Sequence, residues 1–302
     1  MPSAATVDTD GYPSRDDVVK YLTAYESRYA LPVEHGVHVE SVRYESSDDH
    51  NQFLITTDSG DLHSRAIISA TGNHPYLPDI PGRKQFEGIQ LHSRDYAAPE
   101  SFRNKRVVVV GAGNSAAQIV SELTAPGSGV ASVTWATREP PHFLPDDIDG
   151  RYLFDQATAR YKALQEGRTP PPPRSLGDIV MVPPVRAARD RDALVATPMF
   201  QRLTSDGIEW ADGHTTREDA IIWATGFVPA LDHLEPLGVL NKKGRVDIAE
   251  NSTTRSALVP RLWLVGYGNW TGYASATLIG VGRSARTTVA EIRAALGHND
   301  ST

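Results

Sequence analysis

The 302-residue sequence contains no cysteine. Disulfides, thiolate metal sites and a cysteine redox pair within this chain are therefore excluded. Long apolar runs are also missing, since the longest are strand-sized, such as residues 107–110, and far below a membrane span. No Lys/Arg run offsets the net charge of −7, which argues against general nucleic-acid binding. The opening MPSAATVDTDGYPSRDD has no basic stretch followed by an apolar core, so it does not read as a secretory signal. The cytoplasm is the expected compartment. What is there, 40% hydrophobic and 22% charged residues, is ordinary for a soluble globular protein with one large domain or two interleaved ones.

Along the chain, Ser14 and Asp17 read as a helix-capping pair, after which Val18, Leu22, Tyr25 and Tyr29 fall on one helical face. HVESVRY, QFLITTD and LHSRAIISATG follow as strands of a small antiparallel unit. Residues 73–104 are loop-rich, and residues 106–125 form a strand-turn-helix followed by the strand ASVTWATR. Residues 139–184 are irregular and carry the proline run 170–173, which favours polyproline II. A short helix at about 184–193, a hairpin at IEWADGHTT and the strand DAIIWATGF come next. The chain closes with the strand RLWLVGYG and a helix from about Ser275, whose Leu278, Val281, Ala285, Val289, Ile292 and Leu296 make an apolar stripe. Two strands end in the same Ala-Thr-Gly, at 70–72 and 224–226.

The stretch KRVVVVGAGNSAAQIV carries the clearest chemistry. Residues 107–110 read as a buried parallel strand. Gly111, Gly113 and Ala116 fit G-x-G-x-x-G/A: the first glycine permits a tight turn, the second lets backbone approach a pyrophosphate, and the small alanine lets helix pack on strand. The helix N-terminus then faces the anion. A glycine-rich turn in an empty α/β unit is the alternative reading. The next strand ends in Thr137 and Arg138, with the acid Glu139 one step beyond. A cation and a hydroxyl suit the 2′-phosphate of NADPH, where an NAD site carries an acid at the strand tip. A plain surface arginine is the alternative here. Asn114 and Ser115 are the expected side-chain contacts to the nicotinamide nucleotide.

Just ahead of this turn, FEGIQLHSRDY has the form F-x-G-x-x-x-H-x-x-x-Y. This resembles the fingerprint of flavin-containing monooxygenases, except that Ala97 stands where a basic residue is usual. The blocks GYPSRDDVVKYLTAYESRYALPV, FLPDDIDGRYLF, GDIVMVPPVRAARD, DAIIWATGFVPAL and GYGNWTGYASATLIGVGRSAR agree with the small bacterial branch of that family, including its arsenic-resistance members. The resemblance runs from Gly11 to about Leu296. It implies an α/β flavoprotein with two dinucleotide-binding domains. A Rossmann-like NADPH domain (101–225) is inserted between a partial FAD-binding domain (1–100) and its C-terminal part (226–302). In relatives a first βαβ unit with G-x-G-x-x-G holds the ADP half of FAD, and such a unit needs roughly thirty residues. Only thirteen precede the helix here. The expectation is an N-terminally shortened version.

By the same resemblance, Gly268 and Asn269 lie by the ribityl-phosphate region, and Ala276, Thr277 and Leu278 lie near the flavin ring. Relatives usually have Asp at the position of Asn269, and Tyr273 is a further departure. Thr71-Gly72 and Thr225-Gly226 mark the crossings between the two domains and are given a positional role. His92 is expected to fix the fingerprint loop. No catalytic residue is nominated, because the flavin carries the chemistry. PDDIDG fails the calcium-loop pattern, since Pro145 stands at position 1 and Gln156 at position 12. No metal is expected. The implied reaction uses FAD, NADPH and O2 to insert oxygen into a sulfide, amine or arsenical through a flavin C4a-hydroperoxide. Partners are a small-molecule substrate and O2, without nucleic acid or membrane, and a homodimer is compatible with the sequence. Two rivals are a non-catalytic NADP-binding remnant and a pyridine-nucleotide-dependent flavin reductase. Replacing Arg138 with alanine is expected to erode a preference for NADPH over NADH, read as the ratio of kcat/KM for the two. An unchanged ratio would overturn the assignment of Arg138.

Overall fold

The chain divides into two units, residues 1–64 and 65–302. The computed structural model describes residues 15–46, 51–148, 155, 158–159, 162–163, 166–169, 178–272 and 274–297. Ser14, Asp149, Gln156, the proline run 170–173 and Tyr273 lie outside the described residues.

In the first unit, Arg15–Arg28 forms α1, with Asp16 and Asp17 in its first turn and Arg28 in its last, each favourable to the helix dipole. Tyr21, Tyr25 and Tyr29 run along it with ring centroids 6.4 and 4.7 Å apart, yet no residue of the helix is buried. The strands β1 (Val39–Ser46), β2 (Asn51–Thr57) and β3 (Gly60–Ser64) form the expected antiparallel meander. The third expected strand is divided. Its first half is β3, exposed at four of five positions. Its second half contains the apolar pair Ile67-Ile68 and forms a separate strand in the second unit.

That strand is β4 (Ile67–Ser69), followed by β5 (Asn73–Pro75), β6 (Ile89–His92), β7 (Arg106–Val110), α2 (Asn114–Leu123) and β8 (Ser132–Thr137). Then come α3 (Pro183–Arg189), β9 (Ala196–Pro198), β10 (Arg202–Leu203), β11 (Gly207–Glu209), β12 (Thr215–Arg217) and β13 (Ala220–Trp223). β14 (Phe227–Pro229), β15 (Leu262–Leu264) and α4 (Leu278–Ala295) complete the order. Five strands make one parallel sheet, β6-β13-β7-β8-β9. The hairpin β11–β12 pairs Ile208 with Thr216, as the turn residues predict. β4 pairs in parallel with β15, and β5 pairs antiparallel with β14.

The valines of β7 alternate between two cores. Val107 and Val109 pack with Ala116, Ala117, Val120 and Leu123 of α2, while Val108 and Val110 pack with Phe86, Leu203, Ile208 and Trp223 on the opposite face. Burial of each contributes roughly 1.5 kcal/mol or more. Arg106 locks the β7–β13 register. Its backbone N–H and Nε donate to Asp219 Oδ2 and its Nη2 to Oδ1, at 2.8 to 3.0 Å, which holds the Asp219 carboxyl at a pKa of about 2. α3 opens with Pro183 and Pro184, which suit the first helical turn, and stops four residues short of the expected end. The chain turns left-handed at Asp192 (φ 55°), and Ala193 N–H bonds back to Ala188 O.

The C-terminal helix reverses its expected faces. Leu278 and Val289 of the predicted stripe are 63% and 48% exposed, and Val281, Ala285, Ile292 and Leu296 are only half-buried. The buried face carries Gly280, Ser284 and Thr288 instead. Ser284 Oγ donates to Thr271 O at 3.2 Å, Thr288 Oγ1 meets Thr254 Oγ1 at 2.6 Å, and Glu291 accepts from Trp263 Nε1 at 2.9 Å. Thr254, Thr271 and Trp263 are themselves fully buried, and the polar face supplies partners to the Thr254 hydroxyl, the Thr271 carbonyl and the Trp263 indole. Thr288→Val should therefore strand the Thr254 hydroxyl and cost about 1–3 kcal/mol. The double variant Thr254→Val/Thr288→Val should recover most of that loss in denaturant titration. Additive losses would show that the pair is not coupled.

Candidate functional site

The carboxyl ends of β7 and β8 gather the first group of expected site residues. Gly111 follows β7 at φ +138°, and a Cβ there would sit 2.2 Å from Ala224 O. Both conformation and crowding thus require glycine. Its N–H donates to Ala136 O, and its carbonyl accepts from the Trp135 indole at 2.6 Å. Gly113 is the extended residue capping α2, with no side chain in the way of its amides. Ala116 is fully buried against β7. The first amides of α2 have no intrahelical partners and point out of the helix start.

Ser115 is exposed, and its hydroxyl has no protein partner among the described residues. Thr137 is buried at the end of β8, next to the exposed Arg138, whose guanidinium makes no ion pair among the described residues. Asn114, expected as a direct contact to the nucleotide, also braces the protein, and its amide keeps one N–H and one lone pair beyond the two bonds that it makes here. Nδ2 donates to Asp178 O and Oδ1 accepts from Val180 N–H, each at 2.8 Å.

The second group forms a reciprocal pair of crossings. Gly72 and Gly226 adopt φ +71° and +83°, with open space where a Cβ would stand, so the backbone turn alone favours glycine there. Thr71 Oγ1 donates to Ala230 O at 2.6 Å, and Thr225 Oγ1 donates to Tyr76 O at 2.5 Å. Each threonine thus ties its own crossing to the strand leaving the other. Below them lies a hydroxyl cluster that no sequence pattern announced. Tyr267 Oη contacts Ser69 Oγ at 2.6 Å and Thr71 Oγ1 at 2.7 Å and accepts from Thr71 N–H, while Ser69 Oγ meets His233 Nε2 at 3.1 Å. Its members are spread over 198 residues of sequence separation, and only the glycines flanking Tyr267 hinted at it.

The fingerprint residues are architectural. A Cβ at Gly88 would strike the Phe86 ring at 2.5 Å and Asp219 O at 2.7 Å. Tyr96 Oη donates to Glu122 of α2, and burial beside that carboxylate raises its pKa. His92 is 4% exposed, with Nε2 2.9 Å from Gly226 O and Nδ1 accepting from Arg94 N–H. Both nitrogens are spoken for by a neutral ring, and burial pushes its pKa below 6.5.

The third group is the turn before α4. Gly266, Gly268 and Gly272 take φ of +91°, +93° and +112°. Ser275 Oγ bonds Gly268 O at 2.7 Å, and Asn269 Oδ1 accepts from Ala274 N–H at 3.2 Å. Thr277 caps α4 by accepting from Gly280 N–H, while Ala276 and Leu278 are exposed beside it. No helix among the described residues is long and apolar enough to cross a membrane.

The model of the pyridine nucleotide-disulphide oxidoreductase family matches residues 2–146. A flavin-containing monooxygenase from Stenotrophomonas maltophilia is similar over 97% of this chain and 81% of its own, with 41% identity and a TM-score of 0.80. An uncharacterized CzcO-like oxidoreductase of Geobacillus kaustophilus is 25% identical over 300 residues, 94% of this chain and 80% of its own length. A probable indole-3-pyruvate monooxygenase of Arabidopsis thaliana, YUCCA1, is 29% identical over 72% of this chain and 59% of its own.

The depressed His92 pKa has a signed consequence. The neutral ring contributes its full stability above pH 6.5, and that contribution is lost as pH falls through the lowered folded value. His92→Gln is expected to lower stability by about 1–3 kcal/mol at pH 7.5. It should also flatten the decline between pH 6.5 and pH 5 in denaturant titrations, leaving the share of His233, which burial lowers likewise. A decline as steep as the parent's would remove His92 from the titrating groups.

Proposed function

The chain belongs to the flavin monooxygenase family, and from that premise we propose that it transfers one oxygen atom from O2 to a sulfide, amine or arsenical. FAD and NADPH are the family's cofactors. One observation carries the reading for this chain. Its nucleotide turn lies between the two threonine-tied crossings, as the second nucleotide unit of a two-domain flavoprotein would. On this reading residues 101–225 are the NADPH domain, and residues 1–100 and 226–302 are the FAD-binding pieces.

The residues fit both groups chemically. The amides at the start of α2, which has no side-chain cap, suit a pyrophosphate, and glycine at 111 and 113 lets it approach. The unpaired Arg138 cation, with the Thr137 hydroxyl, suits a 2′-phosphate, and Ser115 offers a free hydroxyl beside the turn. Asn114 holds the turn to the 178–180 segment and keeps one amide N–H for the nucleotide. At the other group, the start of α4 favours the negative charge of a reduced flavin ring. Exposed Ala276 and Leu278 give that position apolar surface, and Gly268 and Asn269 would hold the ribityl-phosphate part. Bound together, NADPH supplies the hydride and the flavin activates O2.

The chain's own part is to bind, orient and keep water out. The crossings at Thr71-Gly72 and Thr225-Gly226 tie residues 101–225 to the strand pair β4–β15 within the second unit. A dedicated base is not required, and His92, with both nitrogens engaged, is not available as one. The test is direct. Purified chain, supplied with FAD, should show bound-flavin absorbance, and NADPH-dependent O2 uptake should rise with a thioether and yield its sulfoxide. Uptake without sulfoxide would make it a flavin reductase. A chain that binds NADP+ but neither holds FAD nor gains activity would make it an NADP-binding remnant.

A further inference from the structure

Asn114 imitates a residue of a β-strand. In a parallel ladder one residue bonds the carbonyl before and the N–H after the residue it faces. Asn114 does this to Ile179 with its side chain, taking Asp178 O and Val180 N–H. The other edge of the same segment is paired in the same way by backbone. Ile179 N–H donates to His142 O at 2.7 Å, and Leu144 N–H donates to Ile179 O at 2.8 Å. Ile179 itself is fully buried in the core shared with Ala116, Ala117 and Val120 of α2.

The opposite end of the nucleotide turn is held from the same side. The Trp135 indole donates to Gly111 O, and its ring meets Phe143 edge-on with centroids 6.3 Å apart. Phe143 is the ladder partner of Ile179. A closed circuit therefore runs Gly111, Trp135, Phe143, Ile179, Asn114 and back through Gly113. Both ends of the turn are held by one ladder, and the first amides of α2 between them are the groups that the dinucleotide reading gives to phosphate.

We propose that Asn114 is a positioning residue whose side-chain rung couples the 142–144/178–180 ladder to the nucleotide turn, so that dinucleotide binding tightens the ladder and loosening the ladder weakens dinucleotide binding. This rests on the reading of residues 111–116 as a dinucleotide site. Linkage makes the two effects reciprocal. The clamp holds the pyrophosphate turn and leaves the 2′-phosphate end alone, so it acts on NADP+ and NAD+ alike.

The test is calorimetric titration of the full chain with NADP+ and with NAD+, joined to amide hydrogen exchange at Val180. Asn114→Ala is expected to weaken both nucleotides by a common factor of about ten, leaving their ratio unchanged. Val180 exchange should accelerate in the free variant, and NADP+ should slow it in the parent chain. Trp135→Phe loosens the circuit from the other end and should lower both affinities together, so the proposal stands or falls even where Asn114→Ala does not fold. A changed NADP+/NAD+ ratio, unchanged affinities in both variants, or Val180 exchange indifferent to NADP+ would overturn the coupling. If the parent chain binds neither nucleotide, the dinucleotide reading fails and the coupling with it. If the parent binds and the variants bind equally well, the coupling fails alone.

Discussion

The second unit depends on one constraint, which is that the chain must pass twice through the same narrow place. It leaves β4 to build a five-stranded parallel sheet and returns from β13 to reach β15, the partner of β4. Two crossings must therefore run side by side. Their backbones cannot satisfy each other by an ordinary ladder alone, because each is turning at a left-handed glycine. The threonines solve this by reaching across, Thr71 to Ala230 O and Thr225 to Tyr76 O. Backbone bonds complete the exchange, from Ala230 N–H to Gly72 O and from Tyr76 N–H to Gly226 O. The strand β7 that leads into the nucleotide turn lies between these two crossings in sequence.

The fingerprint takes on a different meaning beside that strap. Phe86, Gly88, His92 and Tyr96 look like a catalytic signature because they are polar, aromatic and regularly spaced. In the structure each one joins elements. Gly88 lets the β6 entry pass beneath Asp219, His92 bonds the second crossing at Gly226, and Tyr96 reaches Glu122 on α2. A motif can thus identify a family through the way its sheet is braced.

Local chemistry made much of this legible in advance. The run of four valines, the glycine at 111 and the small residue at 116 each follow from packing a helix start against a strand end, so strand, turn and helix could be read from residues in sequence. The antiparallel meander and the β11–β12 hairpin were likewise written in turn residues and alternation. What could not be read was long-range polar pairing. Nothing near Asn114 announces that its amide serves residues 178–180, and nothing near His233 points to Ser69. The reversed face of α4 has the same origin. Apolar periodicity predicts which stripe a helix would bury in a neutral setting, but Thr254, Thr271 and Trp263 were waiting beneath it with polar atoms to satisfy.

That reversal determines how freely the last helix can roll. A helix resting on aliphatic contacts is oriented by the fit of side chains into grooves, whereas a hydrogen bond fixes direction atom by atom. α4 is pinned at three successive levels by directional bonds at Ser284, Thr288 and Glu291. Its azimuth is thereby set along its whole length. The amides at its start are aimed by hydrogen bonds made as far as three turns away, so the direction of that small electrostatic beam is a property of the entire helix.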